Sequence, residues 1–135
     1  MKLPEFDLSD FEGYERGNPF MAQNHIQIVS VGTDRSQVRM EITPPGRNLN
    51  GTVHGGLIYT MADCVAGITA RADGRNYVTQ SAHIDFLRNV SEGTLYATGE
   101  AVKRGRRVAV IHVKVEDQNQ LLLADMSISL FCAEG

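Results

Sequence analysis

The hydrophobic positions of the 135-residue chain change period twice. In "HIQIVSV" and "SQVRMEI" apolar and polar residues alternate on either side of a Gly-Thr-Asp-Arg connection, which predicts two strands and a tight turn. "TPPGRNLNG" then gathers two prolines, two glycines and two asparagines into nine residues and predicts a loop. From Thr52 to about Ala72 there is no proline, and Val53, Leu57, Met61, Val65 and Ile68 recur at helical spacing. Ala62, Cys64, Ala66 and Ala70 fill the other sides, so this helix is expected to be buried on most faces.

Beyond the helix the period returns to two. In "YVTQSAHIDFLR", Val78, Ala82, Ile84 and Phe86 predict an apolar face and Thr79, Ser81, His83 and Asp85 a polar one. "TLYATGEAVKR" and "RVAVIHVKVED" follow, divided at Gly105, with Ala109, Ile111, Val113 and Val115 facing inward. "LLLADMSISLF" places Leu122, Ala124, Met126, Ile128 and Leu130 on one side. Hairpin-length connections predict antiparallel pairing of these last three segments. Two strands, one buried helix and four strands give an α+β fold in which one antiparallel six-stranded sheet wraps a long central helix. Upstream, Phe6, Leu8, Phe11 and Tyr14 lie among acids and predict a short, irregular amphipathic helix over 5–18, resting on other elements. Residues 1–24 are thus expected to form an N-terminal helical or irregular segment of a single domain spanning 1–135.

Composition narrows the class. With 42% hydrophobic and 21% charged residues the chain reads as a soluble globular protein, and a net charge of -3 gives no global attraction to nucleic acid. Cys64 and Cys132 show no CxxC or Cys/His metal spacing and read as small buried hydrophobes of a reduced protein. The start of the chain, "MKLPEFDLSDFEGYERGNPF", lacks the basic region and apolar run of a signal peptide, and no stretch reaches transmembrane length. The expected location is the cytoplasm, with neither nucleic acid nor membrane as partner. His83 and Asp85, two apart on a strand, lack a third ligand, and no metal is expected.

The stretch that carries chemistry is "NLNGTVHGGLIYTMAD", residues 48–63. A helix N-terminus presents unpaired N–H groups and a partial positive charge, and Gly55 and Gly56 would let a substrate approach that backbone with no Cβ in the way. An equal reading is structural, with His54 capping the helix and the glycines easing a sharp turn. Asp63 is a carboxylate inside an apolar helix, where desolvation is costly unless the group is hydrogen-bonded, paired or used. Its structural reading is a bond to a neighbouring hydroxyl, Tyr59 or Thr60. His54 and Asp63 are nine residues apart, about two and a half turns and roughly 13 Å of rise, and so point to opposite sides of one helix. Either they are unrelated, or a second copy of the chain brings its Asp63 to the first copy's His54–Gly55 end in a symmetric dimer.

That stretch, followed by "TQSAHIDFLRNV" and "GEAVKRGRRVAVIHVKVED", resembles the hotdog-fold acyl-CoA thioesterases, in particular the phenylacetate-degradation (PaaI-like) subgroup. The resemblance runs from about residue 26 to the last strand. It implies that Gly55 donates a backbone N–H to the thioester carbonyl, and that Asp63 of the opposite subunit acts as general base or nucleophile. It further implies that Asn48 helps place the attacking water, that His54 steadies the loop and orients that asparagine, and that Ser81 supplies a hydroxyl near the acid. Gly56, Tyr59 and Met61 are candidates to touch the substrate. Arg88 and Asn89 at a strand end, and Lys103, Arg104, Arg106 and Arg107 of the "KRGRR" turn, are candidates to contact the coenzyme A phosphates; each basic residue alone reads more readily as part of a solvated hairpin tip, and it is the cluster on an acidic protein that adds weight. The implied substrate is a small aromatic or a short- to medium-chain acyl-CoA, with no cofactor other than the coenzyme A of substrate and product. The implied assembly is a homodimer with shared sites, commonly a homotetramer. A hotdog dehydratase is the alternative that would need a helix glutamate after the histidine, which this helix lacks, and a non-catalytic acyl-CoA-binding module is the alternative that would not need Asp63.

Overall fold

Helix α3, Gly55–Arg71, lies across a sheet that curls around it, and the remaining elements are arranged to close that wrap. The computed structural model describes residues 3–134; the ends of the expected 1–135 domain, residues 1, 2 and 135, lie outside the described residues. Two short helices, α1 (Phe11–Arg16) and α2 (Pro19–Gln23), precede strands β1 (Gln27–Ser30) and β2 (Arg35–Glu41). A 3-10 turn over Pro44–Gly46 and a loop lead into α3, after which come β3 (Tyr77–Phe86), β4 (Thr94–Arg104), β5 (Val108–Asp117) and β6 (Leu122–Cys132). The six strands form one antiparallel sheet in the order β1-β2-β4-β5-β6-β3. This is the α+β architecture that the period changes predict, one antiparallel sheet wrapped around a long helix, as the resemblance to the hotdog family also implies.

The core is the seam between α3 and the concave face of the sheet. Ile58, Met61, Ala62, Val65 and Ile68 of the helix are buried against Ala97, Ile111, Val113, Met126 and Ile128 of the central strands. Closest approach occurs at Gly99 in β4, where an added Cβ would stand 2.7 Å from Thr69 Oγ1 and 3.4 Å from the Val65 carbonyl. Only glycine lets the helix settle to that depth. Four register shifts, one each in β1, β3, β4 and the β5–β6 pair, bend the strands around the helix.

The bulge in β3 changes which side chains face inward. Thr79 pairs with Leu130 and Ser81 with Ser129, so Gln80 is the extra residue. Before it, Tyr77 and Thr79 share the inner side with Cys132 and Leu130, and after it Ala82, Ile84 and Phe86 share that side with Ile128, Met126 and Ala124. The uniform alternation expected for this strand is therefore wrong at its start: Val78 pairs with Phe131 and is exposed, and Thr79 is turned toward the helix.

The N-terminal segment also departs from expectation. The helix expected over 5–18 begins only at Phe11, capped by Asp10, whose carboxylate accepts from the Gly13 N–H at 3.0 Å. Pro19 opens a second helix, as its fixed φ and missing N–H allow at a first helical position. The segment is tied down by the Glu15 carboxylate accepting the Ile28 N–H at 2.8 Å, and by Arg71 donating to the Tyr14 phenol at 3.0 Å. No helix of the described residues is long and apolar enough to cross a membrane.

Candidate active site

The loop before α3 is built by Asn48. Its Oδ1 accepts from Asn50 N–H (2.9 Å), Thr52 N–H (3.2 Å) and the Thr52 hydroxyl (3.2 Å), while its Nδ2 reaches the Val53 carbonyl at 3.4 Å. Gly51, with φ of 79°, makes the turn that this closure needs. A second strip of chain clamps the loop from outside. Asn89 Nδ2 donates to the Val53 carbonyl at 2.8 Å, the Val53 N–H donates to the Val90 carbonyl, and Arg47 Nε reaches the Ser91 carbonyl at 2.8 Å.

The loop delivers His54 as the N-cap of α3, with the Gly56 N–H donating to His54 Nδ1 at 2.9 Å. His54 therefore does cap the helix, and it consumes one of the N-terminal donors. The Gly55 N–H finds no acceptor among the described residues. An added Cβ at Gly55 would stand 3.5 Å from the Phe86 ring, so the exposed Phe86 at the end of β3 flanks this amide. A free backbone donor at a helix N-terminus, near an exposed aromatic ring, can polarise a carbonyl that reaches it.

Asp63 lies eight residues after Gly55, about 12 Å farther along the axis. It is half-buried, and its Oδ1 accepts from the Thr79 hydroxyl at 2.6 Å. The hydroxyls expected from its own helix are not its partners: Thr60 bonds back to the Gly56 carbonyl, and no bond joins Asp63 to Tyr59. Asp63 opens onto a cavity of about 220 Å³ walled by Tyr14, Asn18, Phe20, Tyr59, Cys64 and Arg71, with Gly67 as its floor. The carboxylate is held by one hydroxyl and presented to open space, which suits a group that must take a proton from water.

Several expected site residues are elsewhere. Ser81 falls beyond the bulge, on the outer face opposite Ser129, and Thr79 supplies the hydroxyl at Asp63 instead. Met61 is fully buried against the sheet and touches no cavity at Asp63. Arg104 is committed to the C-terminal end of α3, donating to the carbonyls of Thr69, Ala70 and Thr33 and to Asp73, so its guanidinium serves the helix dipole. Asn89 is engaged in the loop, and both ends of the Asn48 amide are engaged there too. Arg88 is exposed and donates to the Leu122 carbonyl at 3.1 Å, and Lys103, Arg106 and Arg107 are exposed near the β4–β5 tip. Because Arg104 anchors that tip at Ala70, the basic cluster stands roughly 22 Å from Gly55 of the same chain. Sequence reasoning missed Thr79, Tyr14, Asn18, Phe20 and Arg71; the hydroxyl and the aromatic residues give no local signal, and Arg71 reads as an ordinary last-turn base. Among the described residues no three His, Cys, Asp or Glu side chains converge as a metal centre.

Residues 50–124 match the family described as the thioesterase superfamily. A Mycobacterium tuberculosis protein carrying an esterase name, Rv1847, is 29% identical over 118 residues, covering 83% of this chain and 84% of that one. Its solved structure superposes with a TM-score of 0.83. The acyl-coenzyme A thioesterase PaaI of Escherichia coli is 29% identical over 100 residues, covering 73% of this chain and 71% of its own length. The structure of smu.793 from Streptococcus mutans, bound to acetyl CoA, is 28% identical with a TM-score of 0.77, covering 80% of this chain and 88% of that one. With the free Gly55 amide at the capped start of α3, the helix carboxylate and the wrapped sheet already in place, the match across more than half of the chain means that this protein belongs to the thioesterase superfamily, with the hotdog fold, and is a hydrolase of thioester bonds.

Proposed function

We propose that the protein hydrolyses the thioester of a small aromatic or a short- to medium-chain acyl-CoA, with Gly55 of one copy and Asp63 of a second copy acting on the same substrate. The observation that carries this reading is the pair of unspent groups on α3: a Gly55 N–H without an acceptor among the described residues, and an Asp63 carboxylate facing a cavity. About 12 Å of helix separates them, too far to serve one carbonyl. A symmetric partner whose α3 runs the other way removes that separation. The outer edge of β3, a ten-residue strand paired among the described residues with β6 alone, is an open edge along which such a partner can continue the sheet.

In this reading the carbonyl oxygen accepts the Gly55 N–H, and Asp63 takes a proton from water as the water oxygen bonds to the carbonyl carbon. The C–S bond then breaks, the thiolate of coenzyme A receives that proton, and the free acid leaves. Attack by Asp63 itself, through an anhydride that water cleaves, uses the same geometry. Asn48, Asn89 and His54 act by holding the loop and the cap. The reaction so read uses water and these groups, and coenzyme A enters and leaves as part of the substrate and product, with a pair of dimers as the expected assembly.

Two variants test the shared site. Asp63→Asn and Gly55→Val should each be inactive against an acyl-CoA panel with thiol release as readout. Co-refolded in equal amounts, they should regain about a quarter of wild-type activity, because half of the dimers carry one intact site of two. No recovery in a mixture shown to contain heterodimers would overturn the shared site, and no cleavage of any panel member by the wild type would overturn the function.

A further inference from the structure

The cavity at Asp63 continues toward Arg71, whose charge the hydrolytic reading leaves unused. Asp63, Gly67 and Arg71 follow at intervals of four and share one face of α3. An added Cβ on Gly67 would stand 2.6 Å from Arg71 Nη1, so the absent side chain is what lets the guanidinium fold back along the helix toward Asp63. Its partners are all neutral: Asn76 Oδ1 at 3.0 Å, the Tyr14 phenol oxygen at 3.0 Å and the Tyr77 carbonyl at 2.8 Å. Among the described residues no carboxylate forms an ion pair with it, Asp63 included.

Those three bonds leave one N–H on each terminal nitrogen of Arg71. Tyr14 accepts from Arg71 and keeps its own hydrogen to donate. Burial is the main cause that raises the Tyr14 pKa above the ordinary tyrosine value, so the phenol stays a donor throughout the neutral range. Asn18 adds an amide to the same wall, and Phe20 and Tyr59 supply apolar surface. One end of the cavity is thus an anion and the other an uncompensated cation with donors to spare. A half-buried guanidinium without a counter-charge is unfavourable until an anion joins it.

Building on the hydrolytic reading, we propose that the preferred acyl group is short and ends in a carboxylate, which Arg71 and Tyr14 bind while the thioester lies at Asp63. The guanidinium stands over Gly67, one helical turn or about 6 Å from Asp63, which matches acyl chains of roughly four to six carbons. The acyl carboxylate is drawn to Arg71 and repelled by Asp63, which fixes the direction in which such a chain enters, and a bidentate contact with a carboxylate is among the strongest that arginine makes.

The test compares succinyl-, glutaryl- and adipoyl-CoA with butanoyl-, pentanoyl- and hexanoyl-CoA. At one chain length or more, kcat/KM for the carboxylate-ended ester should exceed that of its methyl-ended counterpart by about tenfold, the ratio that one good charged contact gives. In Arg71→Met that ratio should fall toward one, and because both esters are read in one preparation, a general loss of activity cancels. Gly67→Ala keeps the charge but denies it this position, and should lower the ratio as well, which decides the matter if Arg71→Met does not fold. Cleavage of all six esters without discrimination, or a preference unmoved in the variant that folds, overturns the proposal and leaves the hydrolytic reading standing. Failure to cleave any of the six or any aryl ester takes both down.

Discussion

The Thr79 hydroxyl donates to Asp63 Oδ1 at 2.6 Å across the seam between β3 and α3. One carboxylate oxygen is thereby held, while the residue borders the cavity. Asp63→Asn keeps the shape and the contact but removes the proton acceptor, so kcat is expected to fall roughly a hundred- to ten-thousandfold with little change in ligand affinity. Steady-state kinetics beside calorimetric binding of a product check this, and an active Asp63→Asn enzyme would remove Asp63 from the mechanism.

Thr79 is a positioning residue in this scheme. Thr79→Val should lower kcat several-fold while KM holds, and Thr79→Ser, which keeps the hydroxyl, should recover most of the loss. Equal losses in Val and Ser would mean that the threonine matters for packing alone.

At Gly55 an added methyl group meets the Phe86 ring at 3.5 Å, an ordinary contact. Gly55→Ala should therefore melt within a few degrees of the wild type yet lose about tenfold or more in kcat/KM, because the methyl stands where a carbonyl must approach the amide. Thermal melting measured beside kinetics separates the two effects.

Asp73 ties the end of α3 to the sheet by accepting from Tyr77 at 2.5 Å, from Arg104 at 2.8 Å and from Arg75 at 2.9 Å. Partial burial works against this carboxylate, but the bonds from Tyr77, Arg75 and Arg104 outweigh it and hold its pKa below the ordinary value. A carboxyl depressed in the folded state contributes stability that is present above its unfolded pKa of about 4 and is lost as pH falls from there through the folded value. The melting temperature should drop over that acid range, and Asp73→Asn, destabilised by about 1–3 kcal/mol at neutral pH, should show a smaller drop. Identical acid profiles for the two proteins would contradict this.

Cys64 borders the Asp63 cavity, yet burial first, and the Asp63 charge second, push its thiol up to about 12. Thiolate is the reactive form, so a disulfide reagent at pH 8 should label Cys64 in the folded enzyme far more slowly than in denaturant. The thiol-release assay then has a low background, and rapid labelling of the native protein would show that the cavity wall opens.

Periodicity was enough to read the architecture, because β2, β5 and the regular parts of β4 and β6 bury alternate residues, from Val38 and Met40 to Ile128 and Leu130, and α3 is apolar or small on nearly every side. It failed at Gln80 for the same reason: an inserted residue reverses the alternation without leaving a compositional trace, and Ser81 was read in the place that Thr79 holds. The loop asparagine, the capping histidine and the glycines were legible because their spacing is local. Arg104 was misread because a basic turn looks alike whether its side chains meet solvent or reach back to helix carbonyls. Tyr14 and Arg71 are 57 residues apart and meet only through the fold.

Glycine at position 67 weakens a helix that alanine would strengthen by about 1 kcal/mol. An alanine there would nudge the Arg71 guanidinium off its seat and narrow the chamber beneath Asp63. Engineering or selection for heat resistance would favour that methyl group, whereas retaining the chamber's charge pattern disfavours it. Thermal robustness and choice of acyl group are therefore in opposition at a single hydrogen atom of the backbone.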